Sequence, residues 1–280
     1  MKHRISWLKI FAFAALAWLF AGSAAWAQTP VPLTDCQVIT KSGSYYLKSN
    51  LSAPSGDCLD IEVPNIVIDF RGHTITGSPN GRGIWDGGDD ANYAIITNGK
   101  IRNFGYGIDM ALSGSVTINN MQVTDSADAG IYIFGGSNTL NQVKSNNNGS
   151  SSGFYNAGIV IENCCSLLTG VQTNNNFLDG MDLYGGGYSV DQATAEKNGG
   201  NGIFAGGGHN FVSNSTASGN TGDGIEVDDD TGNLVTHSNA SHNGKYGVSI
   251  DCPGNLTSVT AKDNTSGNIH NSDSGTCTQF

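Results

Sequence analysis

The chain has 280 residues, of which 39 are glycine, 30 are asparagine and only 13% are charged. Charged residues make up roughly 25% of an average soluble protein, so this composition excludes a coiled coil, a basic nucleic-acid-binding protein and a charge-rich disordered chain. The 38% of hydrophobic residues are enough to form a core. A chain of this length is compatible with a single all-β domain.

Residues 1–27 have the pattern of a secretory signal peptide. The basic residues Lys2, Arg4 and Lys9 precede an apolar run, and an Ala-Trp-Ala tripeptide ending at Ala27 supplies the small residues of a cleavage site. The apolar run is at the short end for a retained membrane anchor. We therefore expect a secreted or periplasmic protein that is cleaved near Ala27 and has no later membrane span.

Cleavage changes the charge of the protein. Without the signal segment the chain has 10 basic and 24 acidic residues, a formal net charge of −14. Such a surface repels polyanions at long range. Nucleic acid and anionic lipid are therefore not expected partners, and an acidic polysaccharide would need a bridging cation. Nothing in the sequence indicates an oligomer, and we expect a monomer.

A repeated unit then occupies most of the chain. It consists of a glycine, an apolar residue, any residue and a second apolar residue, with an incomplete first copy at Gly83. The complete copies start at Gly107, Gly130, Gly158, Gly180, Gly202, Gly224 and Gly247. The spacing is 22 to 24 residues except for one interval of 28, which contains an extra Ser/Gly/Asn-rich stretch at residues 146–153.

The repeat predicts a parallel β-helix. Alternating apolar residues form one face of a strand, and a unit of this length holds about three short strands and three turns. One coil cannot bury its own apolar face, but stacked coils bury a continuous core. We predict about nine coils of about 22 residues, with a cap segment at residues 28–57 and the repeats at residues 58–280. The expected core side chains include Ile131, Ile159, Met181, Ile203 and Ile225.

Asparagine recurs four residues before the glycine in the later units. The positions are Asn176, Asn198, Asn220 and Asn243, and Asn264 continues the spacing. Asparagine tolerates left-handed backbone dihedrals. We therefore expect these side chains to stack at a turn in which they adopt the left-handed conformation.

The cysteine spacing supports a solenoid independently. Cys36 and Cys58 are 22 residues apart, and Cys252 and Cys277 are 25 apart, which is one coil in each case. Equivalent residues in adjacent coils are about 4.8 Å apart, within the Cα range of a disulfide. Both pairs are predicted to be bridged and to close the ends of the solenoid. For the adjacent cysteines at 164–165, a disulfide and two reduced thiols both remain open.

Several segments resemble a known family. Gly-Ser-Tyr-Tyr-Leu at residues 43–47, Asn-Leu at 50–51 and Ile-Asp-Phe-Arg-Gly-His-Thr-Ile-Thr-Gly at 68–77 are similar to the N-terminal segment of secreted right-handed parallel β-helix repeat proteins. These proteins share the architecture of pectate lyases. The resemblance covers about residues 33–280 and implies right-handed winding. It does not select a reaction, because the family contains lyases, hydrolases, epimerases and proteins with no known reaction.

Aromatic and acidic residues recur at two outward positions of each unit. By strand parity, residues two and four positions after each glycine lie on the same side of one sheet and are expected to face solvent. We assign glycan binding to this strip. The candidate residues are Trp85, Asp109, Tyr132, Phe134, Tyr184 and Phe204. The alternative is ordinary cross-strand stacking of aromatic side chains on an exposed sheet.

Carboxylates concentrate late in this strip. The candidate catalytic residues are Asp182, Glu226, Asp228 and Asp251. Several pairs have backbone spacings of about 5 to 10 Å, which overlaps the separation of about 6.5–9.5 Å between the two carboxyl groups of inverting glycosidases.

The same region is also a candidate Ca²⁺ site, since Ca²⁺ takes six to eight oxygen ligands. The candidate ligands are Asp223, Glu226, Asp228, Asp229, Asp230 and Asp251. The alternative is a solvated acidic turn. A group of basic residues toward the N-terminal end, Arg71, Arg82, Lys100 and Arg102, is interpreted as a solvated face.

Two classes of function follow. The first is a non-catalytic protein that binds a polysaccharide or cell-envelope glycan, or a structural spacer. The scarcity of long loops favours this class, because catalytic groups need a supported and partly desolvated cleft. The alternative is a carbohydrate-active enzyme, a glycoside hydrolase or polysaccharide lyase, that uses the carboxylates of the strip, with Ca²⁺ as a candidate cofactor.

Overall fold

The computed structural model describes residues 29–87, 93–111, 114–228, 231–271 and 277–279. The predicted signal segment at residues 1–27 lies outside this part. Strands of successive coils pair in parallel and in register throughout, so the described chain is a parallel β-helix with two sheets. None of the described residues belongs to a helix long and apolar enough to cross a membrane.

One sheet, here called the front sheet, contains one strand from each coil. Its eleven described strands are Gln37–Ile39, Leu59–Ile61, Arg82–Trp85, Tyr106–Met110, Ile131–Phe134, Ile159–Glu162, Met181–Tyr184, Ile203–Gly206, Ile225–Asp228, Tyr246–Ile250 and Gly267–Asn271. The repeated Gly-apolar-x-apolar units form these strands, as predicted. Eleven front strands correspond to about ten turns of the solenoid, against the nine coils expected from the sequence.

The second sheet, the back sheet, receives the rest of each coil, either as two short strands or, at Ala94–Arg102 and Val116–Thr124, as one nine-residue strand. Its twenty described strands are Val31–Leu33, Gly43–Leu47, Leu51–Ser52, Ile66–Asp69, Thr74–Thr76, Ala94–Arg102, Val116–Thr124, Thr139–Asn141, Lys144–Asn146, Leu167–Thr169, Gln172–Asn174, Ser189–Asp191, Thr194–Glu196, Phe211–Ser213, Thr216–Ser218, Leu234–Thr236, Asn239–Ser241, Asn255–Thr257, Thr260–Lys262 and Thr278–Gln279. The sheet bends at a residue with positive φ, such as Asn98 (62°) or Asn120 (49°).

The core consists of stacked aliphatic side chains from both sheets. Ile131, Ile159, Met181, Ile203 and Ile225 are each 0% exposed and pair with one another in consecutive front strands. Each side chain is covered by the coils above and below it, and burying one such side chain contributes about 1.5–3 kcal/mol. The predicted core and strand register are confirmed.

The recurring asparagines form a buried ladder at one turn. The side-chain oxygen of Asn198 accepts hydrogen bonds from the backbone N and the Nδ2 of Asn176, both at 3.0 Å. The ladder continues through Asn220 in the next coil. The left-handed conformation was predicted for the wrong residue: it lies one position earlier, at Asn175 (φ 56°) and Lys197 (φ 56°). In the ladder the backbone N–H of each asparagine points at the asparagine of the next coil. The residue with the left-handed conformation therefore precedes the asparagine.

Three disulfides are present. Cys36–Cys58 and Cys252–Cys277 join adjacent coils near the two ends, with Cα atoms 4.4 and 5.0 Å apart, as predicted. The adjacent cysteines at 164–165, for which two alternatives were open, are bridged to each other. This vicinal disulfide lies in the turn that follows the front strand Ile159–Glu162.

Candidate functional site

The outward positions of the front sheet form continuous columns. The column two residues after each glycine contains Trp85, Asp109, Tyr132, Val160, Asp182, Phe204, Glu226 and Ser249 as register partners. In the second column, Phe134 pairs with Glu162, and Glu162 pairs with Tyr184. Aromatic and acidic side chains therefore share one strip of the front sheet.

The strip is less exposed than parity indicated. Asp109 is 5% exposed, Val160 0% and Asp182 9%. Ser249 and Asp251, further along, are also buried. The expectation that both columns face solvent is therefore wrong at these positions. Neighbouring side chains cover them, such as Arg82 at Asp109, and a loop packs on the sheet at Val160.

That loop is the insertion, defined here as residues 149–157. The backbone N–H groups of Phe154 and Tyr155 donate to the carboxylate of Asp128, both at 2.7 Å. The ring of Tyr155 stacks on Tyr132 with 4.5 Å between centroids. Ala157 at its end packs with other apolar side chains on the outer surface of the front sheet. The insertion thus forms a wall beside the middle of the strip.

Between the insertion and the front sheet lies a cleft of about 680 Å³. Its lining residues are Phe134, Phe154, Tyr155, Glu162, Asn163, Leu178, Asp179, Asp182, Tyr184 and Gly185. The cleft is within the usual size range of small-molecule sites, about 300–1,000 Å³. Its described lining has four aromatic rings and three carboxyl groups, and no basic side chain.

Asp182 is the most buried carboxyl group of the cleft. Burial raises its pKa to about 7, and the nearby carboxylate of Asp179 acts in the same direction. Its Oδ1 atom is buried and has no hydrogen-bond partner among the described residues. The Tyr184 hydroxyl is hydrogen-bonded to the Asp182 side chain and opposes the rise. Because an unpartnered buried oxygen disfavours the charged form, Asp182 keeps its proton up to about neutral pH.

Glu162 lies in an adjacent hydrogen-bonded network. The Tyr132 hydroxyl donates to Glu162 Oε2 at 3.2 Å, and the Tyr155 hydroxyl donates to the Tyr132 oxygen at 3.1 Å. Burial raises the pKa of both tyrosines, so both hydroxyls stay protonated and available as donors. Glu162 is therefore held as a hydrogen-bond acceptor at the edge of the cleft.

Asp179 belongs to a second ladder that supports the fold. Its carboxylate accepts a hydrogen bond from the backbone N of Asn201. The Asn201 side chain accepts one from Asp223 N at 2.8 Å, and Asp223 accepts one from Tyr246 N at 2.6 Å. Asp179 and Asp223 thus tie adjacent coils together, and burial raises the pKa of Asp179.

The other catalytic candidates lie outside the lining of the cleft. Glu226 is two coils from Asp182 and accepts a hydrogen bond from Asn201 Nδ2 at 2.6 Å. Burial, with the Asp223 carboxylate next in importance, raises its pKa to about 7. Asp228 pairs in register with Gly206 in the neighbouring coil. Asp251 is 8% exposed and lies beyond both.

The glycan-binding candidates are divided along the strip. Phe134 and Tyr184 line the cleft, and Tyr132 supports it through Tyr155. Phe204 contacts Tyr184, with 5.3 Å between ring centroids.

Trp85 and Asp109 lie at the N-terminal end of the strip. Both contact Arg82, whose Nε lies 2.6 Å from an Asp109 oxygen and whose guanidinium carbon lies 4.5 Å from the Trp85 ring centre. Arg82 is thus part of a half-buried cluster, and its interpretation as part of a solvated face is wrong.

The Ca²⁺ hypothesis is only partly covered by the structure. Asp229 and Asp230 lie outside the described residues. Within the described ranges, no group of three or more His, Cys, Asp or Glu side chains is arranged to hold a metal ion. Asp223, another proposed ligand, is engaged by a backbone N–H. The Ca²⁺ site stays a prediction.

Sequence reasoning did not assign a role to several residues of the cleft. Glu162 occupies the second column, so strand parity alone could have placed it on the same strip as Asp182. Phe154 and Tyr155 lie in the insertion. In the sequence, the 28-residue interval between repeat glycines was the only feature that pointed to this segment. Asp128, which anchors them, has no signal in the repeat pattern.

Comparisons with known proteins agree with this architecture. Residues 145–280 match the protein family described as a right handed beta helix region. The chain is a right-handed parallel β-helix. No curated protein matches its sequence.

Solved structures with the same fold have low sequence identity. The A-module of the mannuronan C-5 epimerase AlgE4 from Azotobacter vinelandii is 11% identical, with a TM-score of 0.57 over 92% of this chain and 91% of that chain. The periplasmic alginate epimerase AlgG is 14% identical, with a TM-score of 0.63 over 89% and 76%. The catalytic domain of a GH87 α-1,3-glucanase in complex with nigerose is 13% identical, with a TM-score of 0.51 over 89% and 63%. At these identities the likeness establishes the fold alone.

Proposed function

We propose that this protein is a carbohydrate-active enzyme that hydrolyses a neutral polysaccharide in the cleft between the front sheet and the insertion. The observation that carries the proposal is a buried carboxyl group, Asp182, in a cleft walled by aromatic rings. The similar folds belong to proteins named as epimerases and a glucanase, whose names specify mannuronan, alginate and α-1,3-glucan. The sequence favoured a non-catalytic role because it contains few long loops that could form the wall of a cleft. The insertion supplies such a wall.

The aromatic rings fit the faces of sugar residues. Phe134, Phe154, Tyr155 and Tyr184 line the cleft, and Phe154 is 81% exposed. Sugar rings present C–H groups that stack on aromatic faces and hydroxyl groups that hydrogen-bond to carboxylates and amides. Side chains of both kinds are brought together here.

Asp182 and Glu162 are suited to acid and base roles. Glu162 pairs with Tyr184 in the adjacent strand, so the two acids are one coil and two residues apart, about 8 Å between backbones. Side chains on backbones at this spacing can place their carboxyl groups about 6.5–9.5 Å apart, the range of inverting glycosidases. Asp182 donates its proton to the glycosidic oxygen as the bond to the anomeric carbon breaks. Glu162 takes a proton from the water that attacks that carbon, and two shorter glycans are released.

A neutral substrate fits the cleft better than a uronate. Lyases and epimerases remove the proton beside a uronate carboxylate, whose charge must be neutralised for that step. The described lining contains three carboxyl groups and no basic side chain, so a uronate ring in the cleft would be repelled. Hydrolysis needs no such neutralisation.

The location of the protein is part of the proposal. Disulfides are typical of proteins that fold in oxidising compartments, and this chain has three. Together with the signal-like segment at residues 1–27, they support a secreted or periplasmic enzyme.

The test is a reducing-sugar assay over a panel of neutral polysaccharides, including α- and β-linked glucans. We expect wild-type protein to hydrolyse at least one of them and Asp182→Asn to lose about 10²-fold or more in kcat, the usual contribution of a general acid. The wild-type rate should fall as the pH rises above about 7, where Asp182 loses its proton. Glu162→Gln should lose activity similarly.

Asp263→Asn is the matched control, because its side chain is 64% exposed and distant in the chain. It should retain full activity. If wild-type protein binds a glycan but does not hydrolyse it, the hydrolytic function is wrong and the cleft is a binding site only. Full activity in Asp182→Asn would exclude Asp182 as the acid.

A further inference from the structure

We infer that the bend of the back sheet carries a second glycan site, which binds an acidic polysaccharide. A groove of about 310 Å³ lies there, on a different sheet from the cleft. The side chains that matter are Asn98, Asn120 and Gln142 on one side, and Lys100, Gln122 and Lys144 on the other. The proposed hydrolytic function uses none of them.

The strand register sets the spacing of the basic side chains. Gln122 pairs with Lys100 in the preceding coil and with Lys144 in the following one. Adjacent coils are about 4.8 Å apart, so the two lysines are separated by about 9.6 Å along the solenoid axis. The rise of one coil is close to the length of one sugar residue in an extended glycan. The lysines therefore fit acidic groups on every second residue of a chain that follows the axis.

The opposite side of the groove presents amide groups. Asn98 (φ 62°), Asn120 (φ 49°) and Gln142 (φ 53°) form the bend itself in three consecutive coils. Asn120 Nδ2 donates to Asn98 Oδ1 at 3.1 Å, which aligns these side chains along the axis. Amides both donate and accept hydrogen bonds, so a row of them matches the hydroxyl groups of a sugar chain.

The charges at the bend favour an acidic ligand. Lys100 and Lys144 are exposed, and neither forms an ion pair with a described carboxylate. Arg102, two residues after Lys100 on the same strand, adds a positive charge. Arg71 is ion-paired to Asp69, a carboxylate beside the groove that also accepts a hydrogen bond from Asn98 Nδ2 at 3.1 Å. At physiological salt, charges more than about 8 Å away are largely screened. The local positive charge therefore dominates at the groove although the whole chain is acidic.

The sequence indicated that an acidic polysaccharide would need a bridging cation. At this groove the two lysines supply the positive charge. Nucleic acid is a poorer fit, since it carries a phosphate on every residue and is repelled by the net negative charge. A glycan with a uronate on every second residue has sparser charge and more hydroxyl groups, which suits two lysines about 9.6 Å apart that face a row of amides. Binding here would hold the enzyme on an acidic matrix without occupying the cleft.

The test is the binding of a labelled hyaluronan oligosaccharide, in which every second residue is a uronate, measured by fluorescence anisotropy at low and physiological salt. Lys100→Gln combined with Lys144→Gln should weaken binding at least about tenfold, equivalent to about 1.4 kcal/mol. The matched control replaces two exposed lysines at opposite ends of the chain, Lys41→Gln with Lys262→Gln, and should bind like the wild type.

Two further measurements distinguish a specific glycan site from the cleft and from a general polyanion site. Hydrolysis of a neutral polysaccharide should be unchanged in Lys100→Gln/Lys144→Gln, so failure of this site and failure of the cleft are distinguishable. Equal loss in both double variants, or no binding by wild-type protein, would overturn the site. Single-stranded DNA that binds as tightly as the hyaluronan oligosaccharide would show a general polyanion site and overturn the assignment to an acidic glycan.

Discussion

At the scale of single residues, the environment of Asp182 determines its chemistry. The residue lies two positions after a repeat glycine, like Asp109 and Glu226, but the three side chains have different surroundings. Asp109 is ion-paired to Arg82, and Glu226 is bound by Asn201. Asp182 has a buried oxygen without a partner and a pKa near 7. The pKa of Glu226 is also raised to about 7, so the buried oxygen without a partner is what distinguishes Asp182 from Glu226. The same register position thus gives an ion pair, a hydrogen-bonded acid and an acid with an unpartnered oxygen.

The raised pKa of Asp182 makes protein stability depend on pH. In the unfolded chain the group ionises near its ordinary value of 3.8, whereas in the folded protein it keeps its proton to about 7. Between these values the folded state binds more protons than the unfolded state, so this group lowers the free energy of unfolding as the pH rises. Asp182→Asn removes the effect. We expect the melting temperature of Asp182→Asn, relative to wild type, to increase from pH 4 to pH 7.

The measurement is a thermal melt of both proteins at several pH values, with Asp35→Asn as the control. The side chain of Asp35 is exposed and forms no ion pair among the described residues, so it should give no such trend. A melting-temperature difference that stays constant over this range would contradict the buried, protonated state of Asp182.

At the scale of structural elements, the turns rather than the strands specify the coil. The front strands are only three to five residues long, and in the later coils the two back strands are only three residues long. Buried side-chain ladders at the turns accept hydrogen bonds from backbone N–H groups. Without the ladders these buried groups would have no partner, which is costly inside a protein. The Asn176, Asn198 and Asn220 ladder is one of these.

Asn220→Ala should therefore be strongly destabilising. The Asn220 Oδ1 accepts the backbone N and the Nδ2 of Asn198, both at 3.0 Å, and its own Nδ2 donates to Ala195 O at 3.0 Å. Alanine would leave these buried groups unpaired, at a cost of about 3 kcal/mol or more.

The measurement for Asn220→Ala is denaturant unfolding. The control, Asn255→Ala, changes an exposed strand residue and should cost about 0.5 kcal/mol or less. Similar losses for the two variants would show that the ladder contributes no more than surface asparagines.

At the scale of the whole molecule, a solenoid is nearly one-dimensional. Each coil contacts its neighbours, so stability is close to a sum over coils, and the ends are the weakest part. The disulfides Cys36–Cys58 and Cys252–Cys277 lie near these ends. They restrain coils that have a neighbour on one side only.

Removal of the last bridge should loosen the protein locally. Replacing Cys252 and Cys277 by serine should cost about 2–5 kcal/mol and speed amide exchange in the strands Tyr246–Ile250 and Gly267–Asn271. The strand Met181–Tyr184, several coils away, should keep its protection.

Hydrogen exchange measured by mass spectrometry tests this prediction. Replacing the vicinal pair at 164–165 by serine is the control and should leave the terminal strands protected. Equal loss of protection in all coils would contradict the one-dimensional description of the fold.

The sequence by itself determined the solenoid, its register, its core and the pairing of its terminal cysteines. These follow from local periodicity, because each coil repeats the alternation of Ile159 and Ile161 and stacks on an equivalent coil. Only the tertiary structure decided where the cleft lies. The insertion that carries Tyr155 has no repeat partner, and its position depends on Asp128, more than 20 residues earlier in the chain. The wall of the cleft that contains Asp182 is formed by that insertion, and strand parity gives the side of a sheet on which a residue lies but not what lies above it.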